Sequence, residues 1–173
     1  MVIDPTQARI FLDSYQPFLT EVFRLSGLPA ESNVFQMMGQ ARAAMVQSPA
    51  LQTEAVAALE KAGTPLDAKV LAAVHSLQIG RWFYLRDTTR YSIFMTAEGD
   101  AAYAVKGLTQ PISSIFGGSG LMVTAGIAEY AGGFVCDGIF TGQLAWIGRT
   151  MLSGLSDDFA LLKKKKAFFT KRV

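Results

Sequence analysis

Charge is scarce in this chain: 17% of its 173 residues are Asp, Glu, Lys or Arg, against about 25% in an average globular protein. Cysteine and histidine are scarcer still, with one of each, Cys136 and His75. A lone cysteine excludes an intramolecular disulfide and agrees with a reducing compartment. One Cys and one His fall short of a zinc site unless two carboxylates converge from elsewhere, so no metal and no cofactor is expected. They also leave little for nucleophilic catalysis: a Cys136/His75/Asp137 arrangement is conceivable, but a thiol in Phe134-Val135-Cys136-Asp137 reads first as a small buried hydrophobe. These absences do not favour an enzyme.

Long hydrophobic runs are missing too. A long uncharged stretch, 107–127, carries Pro111, Ser113, Ser114 and Gly117-Gly118-Ser119-Gly120, which is loop chemistry rather than a membrane span. The start, Met-Val-Ile-Asp-Pro, has no basic segment followed by an apolar core, and a soluble cytoplasmic protein is the reading this gives. The glycine loop fails as a phosphate cradle. Gly-Lys-Ser/Thr is absent, Val123 stands where a dinucleotide fingerprint needs glycine, and the segment after it reads as a strand, which offers no helix N-terminus.

What is present divides the chain in two. Up to about residue 80, Asp4-Pro5, Ser48-Pro49 and Thr64-Pro65 pair a capping oxygen with a proline suited to a first helical position, while Gly27 and Gly63 suit left-handed C-terminal caps. The punctuation predicts helices over 5–26, 30–47, 49–62 and 65–78, with Pro17 kinking or splitting the first. Ile10, Phe11, Phe18, Leu19, Val22 and Phe23 give that helix an apolar side, as Val34, Met37, Met38, Ala41 and Met45 do for the second.

After Gly80 the period becomes two. Strands are predicted over 81–86, 90–97 and 101–105, joined so tightly that they must be antiparallel neighbours. An irregular link with one helical turn at 111–116 follows, then strands over 121–129, 133–140 and 143–147. Glycines at 126, 132, 133, 138, 142 and 148 point to bulges in a strongly curved sheet or half-barrel. A last helix is predicted from Ser156, with Asp157 and Asp158 in its first turn, to Lys166. The fold class is therefore α+β: N-terminal helices packed on a curved antiparallel sheet of about six strands, with a short C-terminal helix. Regions 1–80 and 81–173 are expected to form one compact unit.

Three functional readings follow. The first is a non-catalytic binding or interaction module acting as a subunit of an oligomer or larger assembly, which fits the low charge and the aromatic strands. The second is a small enzyme or ligand-binding protein with a pocket between helices and sheet. Its candidate residues are Trp82, Tyr84, Arg86, Tyr103 and Trp146, with Phe94 beside them and Asp137 as an acid inside an apolar strand. The third is attachment to nucleic acid or an anionic membrane. Arg81, Trp82, Tyr84, Arg86, Arg90 and Tyr91 could form a stacking platform. The C-terminus holds Lys163, Lys164, Lys165, Lys166, Lys171 and Arg172 with no acid, leaving the rest of the chain at a formal −4, and Phe168 and Phe169 offer an apolar anchor.

Overall fold

Residues 1–171 are described in a computed structural model of the chain, Gln143 by its backbone alone. The structure divides into a helical unit, Thr6–His75, and a second unit formed by Met1–Pro5 with Ser76–Val173.

The helical unit contains the four expected helices, three of them with later starts than expected. Helix α1 (Pro5–Ser26) turns Ala8, Phe11, Tyr15, Phe18, Leu19 and Val22 inward at three- and four-residue spacing, as an amphipathic helix must. Pro17 does not split it. Helix α2 (Val34–Gln47) starts four residues later than expected because Asn33 is its cap, the side chain accepting from Gln36 N–H. Helix α3 (Ala50–Lys61) begins after Pro49 without a side-chain cap, so Ser48 does not serve there. Helix α4 (Ala68–His75) also begins late. Asp67, not Thr64, caps it, with Oδ1 accepting from the N–H groups of Lys69 and Val70 at 2.8 and 3.3 Å. Gly27 and Gly63 do take positive φ after α1 and α3.

The second unit is a barrel. Strands β1 (Gln78–Asp87), β2 (Ser92–Thr96) and β3 (Ala102–Lys106) form the expected meander. A short helix α5 (Ile112–Phe116) leads to β4 (Leu121–Tyr130), which pairs antiparallel with β1, and to β5 (Gly133–Trp146), antiparallel to β4. β5 then lies parallel to β3 through Val105↔Phe134 and Lys106↔Val135. Since β3 also pairs with β2, the five strands close in the order β1-β2-β3-β5-β4. The purely antiparallel expectation fails at this seam and again at β6 (Phe168–Phe169), which runs parallel to β3 at Ala102 and Tyr103.

The strands predicted over 133–140 and 143–147 are one strand. Between Ala125↔Phe140 and Ile127↔Cys136, residue 126 of β4 faces 137–139 of β5, and between Met122↔Ala145 and Thr124↔Thr141, residue 123 faces 142–144. Each is a bulge, and Gly138 and Gly142 take φ of 79° and 76° there, a conformation that costs an L side chain energy. The glycines bend the strand without ending it.

Alternation sorts the barrel's side chains into two cores. Trp82, Tyr84, Phe94, Val105, Leu121, Val123, Ala125, Ile127, Phe134 and Cys136 fill the interior, with Ile112 of α5 among them. Phe83, Leu85, Ile93, Met95 and Ala102 form an outer layer covered by Leu155, Phe159 and Leu162 of helix α6 (Arg149–Lys164). This helix starts seven residues before Ser156, with Gly148 at its N-cap. Ser156 is internal, its Oγ donating to the Leu152 carbonyl. Among the described residues no helix is long and apolar enough to cross a membrane.

Candidate functional site

Trp82 and Tyr84 alternate with Phe83 and Leu85, so they point into the barrel, where they are 3% and 0% exposed. Trp82 Nε1 donates to the Ala125 carbonyl at 3.1 Å, and its ring meets half-buried Tyr103 edge-on at 5.6 Å. Two of the aromatics proposed for a stacking platform are thus interior packing. Tyr91, the third, rests against Phe168 with ring centroids 5.8 Å apart. Arg86 is exposed on the barrel wall. Trp146, 65% exposed, is far more open than any other aromatic proposed for the site.

Cys136 and Asp137 are successive strand residues and therefore face opposite sides of the sheet. The thiol lies in the interior core. Asp137, 3% exposed, sits on the outside of the first bulge, where its Oδ1 accepts from Gly126 N–H at 3.3 Å and Ile139 N–H at 3.1 Å. Those are amides at the place where the β4–β5 ladder is interrupted, and unmet buried donors cost about 1–3 kcal/mol each. The fit is close: a Cβ on Gly126 would stand 2.4 Å from Asp137 Oδ2. Asp137 is thus built into the bulge, and His75 lies at the exposed end of α4 in the helical unit.

A polar cluster absent from the sequence reading ties α5 to the strands. Asp87 Oδ1 accepts from Tyr84 Oη at 2.7 Å and Ser92 Oγ at 2.6 Å, and its carboxylate also accepts from the Ser113 hydroxyl. Partial burial pushes the Asp87 carboxyl up. The donated bonds from Ser113, Ser92 and Tyr84, with the positive N-terminus, outweigh burial and hold it below the usual carboxylate range. The Tyr84 phenol is pushed well above its ordinary value, mainly by burial and then by bonding to Asp87. An ionised acceptor with a phenol that keeps its proton makes a latch, not a proton shuttle, at neutral pH. The nearby turn residue Asp87 and the helical-turn residue Ser113 are 26 positions apart, and no local pattern announces that they meet. Arg42, 1% exposed in α2, was likewise outside the reading.

The C-terminal residues separate into two groups. Lys163 and Lys164 end α6, Lys165 is its C-cap, and Lys166 follows with φ of 59°. All four are exposed, as is Lys171, and Lys163 Nζ lies 5.0 Å from the Phe159 ring centroid. Phe168 and Phe169, by contrast, are half-buried in β6. Phe168 packs on Phe159 and Phe169 on Tyr103, so the anchor expected of them is occupied by the fold. Arg172 lies outside the described residues.

Among the described residues, one cleft and one apolar patch stand out. In the helical unit a cleft of about 260 Å³ is lined by Asp13, Ser14, Pro17, Leu59, Thr64, Pro65 and Leu66. At one end of the barrel, Leu144 (48% exposed) and Trp146 share a strand face, Trp146 reaches over Gly118 just after α5, and Ile115 of α5 and Met151 of α6 are also exposed. Among the described residues no group of three or more His, Cys, Asp or Glu is placed to hold a metal ion. Neither family models, nor curated proteins, nor solved structures give a match to this chain.

Proposed function

We propose that this chain is a non-catalytic binding module that works as a subunit of an oligomer or larger assembly, and that its contact surface is the barrel end around Trp146. The observation that carries the reading is the 65% exposure of Trp146 beside exposed Leu144. Burying an indole recovers a large apolar area, and tryptophan is the side chain most enriched among residues that dominate interface energies.

A five-stranded Greek-key barrel with this strand order resembles an OB-type barrel, an architecture that binds ligands on the outer face of its second and third strands. In this chain α6 packs on the outer side chains of β1 and β2 and on Ala102 of β3. A contact surface must then lie elsewhere, and the fold analogy carries no function of its own.

Light scattering coupled to size exclusion tests the proposal on the full chain. The expected result is a mass that rises with concentration above the 18.7 kDa of one chain, and binding of an apolar-surface dye. Trp146→Ser together with Leu144→Ser should abolish both. A monomer at every concentration that binds no dye would refute the reading.

A further inference from the structure

The lysine run is held in a defined place, not on a loose tail. Lys166 N–H donates to the Lys163 carbonyl at 3.2 Å and Ala167 N–H to the Leu162 carbonyl at 2.9 Å, the paired bonds of a Schellman cap. Ala102 N–H then donates to the Ala167 carbonyl at 2.9 Å and β6 continues along β3. On the other side, Leu155, Phe159 and Leu162 fix α6 to the barrel. The lysines therefore project from a rigid corner between a docked helix and a paired strand.

Two features set this corner apart. First, Lys166 occupies the left-handed position of the cap, where glycine is the usual and least strained residue. Only Lys166 and Ala131 among the described non-glycine residues have positive φ, a conformation that is strained for an L side chain. Second, none of Lys163, Lys164, Lys165, Lys166 and Lys171 has a carboxylate within ion-pair distance among the described residues. Asp157 and Asp158, the acids of the same helix, are exposed and stand more than a turn upstream.

We propose that Lys163–Lys166 with Lys171 form a binding surface for the phosphate backbone of nucleic acid, read by charge and not by base. Lysine meets phosphate as a point charge and needs no planar geometry. The absence of base reading follows from the packing, because Trp82 and Tyr84 are inside the barrel and Tyr91 rests on Phe168. The same packing argues against a membrane: Phe168 and Phe169, the side chains that would enter lipid beside the lysines, are held in β6. This surface is separate from the Trp146 end, and either proposal can fail alone.

Fluorescence anisotropy of the full chain with a mixed-sequence 20-nucleotide single strand, from 50 to 300 mM KCl, tests it. Five neutralised phosphates give a slope of log K against log salt of about −3 to −4 for a single strand. Lys163–Lys166→Gln should reduce the slope to about −1 and affinity at 50 mM by at least about 100-fold, with unchanged circular dichroism. Lys163–Lys166→Arg, which keeps the charge, should retain both, and keeps the comparison valid if the Gln variant folds poorly. Lys166→Gly should weaken binding about fivefold while melting no earlier than the parent, since it relieves the cap. Binding to vesicles with 30% phosphatidylserine but not to the oligonucleotide would overturn the proposal in favour of a membrane. No binding to either, or a Gln variant that is folded and binds as the parent does, would also overturn it.

Discussion

Two aspartates show how differently the two units are held. Asp67 in the helical unit accepts from N–H groups two and three residues further along its own chain. Asp137 in the barrel accepts from Gly126, eleven residues away on another strand, as well as from Ile139. The first completes a helix end that forms locally. The second completes a defect that exists only once two strands have met. Caps of the first kind are interchangeable among Ser, Thr, Asn and Asp, whereas the second depends on Gly126 having no side chain.

The contrast is sharpest in core truncations, where the largest effects are expected. Phe94, in the barrel interior, and Phe18, in α1, are both 0% exposed, and Phe→Ala at such sites costs about 3–5 kcal/mol. Both tryptophans of the chain, Trp82 and Trp146, belong to the barrel unit. Phe94→Ala should therefore lower the midpoint seen by tryptophan fluorescence ahead of that seen by circular dichroism at 222 nm, and Phe18→Ala should do the reverse. Coincident midpoints in both variants would mean the units unfold together, and the contrast would be lost.

Next in size is the bulge. Gly126→Ala should destabilise by about 2–4 kcal/mol, through the clash with Asp137 and the loss of its hydrogen bonds. In an Asp137→Ala background the same change should cost at least 1 kcal/mol less, because the two residues act through one contact. Additive chemical-denaturation energies would show that Asp137 does not serve the bulge as described.

The smallest effect concerns Asp87. Its carboxyl is held below the ordinary value of 3.8, so the stabilisation it brings is complete above the unfolded-state pKa and is lost as pH falls through the lower folded-state value. The barrel midpoint should fall more steeply below about pH 4 in the parent than in Asp87→Asn, measured by tryptophan fluorescence from pH 6 to 2. Parallel curves would remove Asp87 from the account.

Legibility followed the same division. The helices, the β1–β3 meander and the α+β class were readable because caps, apolar spacing and short turns act over a few residues. The α4 start was misplaced because Thr64 and Asp67 both offer a capping oxygen, and the α6 start because Gly148 opens that helix with no side-chain cap to announce it. The parallel seam was not readable, since nothing near Val105 names Phe134 as its neighbour. Gly142 was read as a strand end because bulge and break use the same residue, and only pairing distinguishes them. Of the site residues, Trp82 and Tyr84 were singled out for chemistry that their alternation places inside, and the Asp87–Ser113 contact needed the fold to become visible. The lysine run was plain, but its Schellman cap was not.

The seam between β3 and β5 also bears on how the molecule is made. It is a parallel contact of two residue pairs spanning nearly thirty positions of chain, whereas the β1–β2 and β2–β3 pairings join strands a few residues apart. A ribosome delivers the meander well before β5, so the β3 edge of the early sheet has no neighbour until the chain beyond Gly133 is made. This joint rests on the fewest pairs of any in the ring and is expected to be the first to open in thermal fluctuation. Amide exchange at Phe134 and Val135 would time that opening.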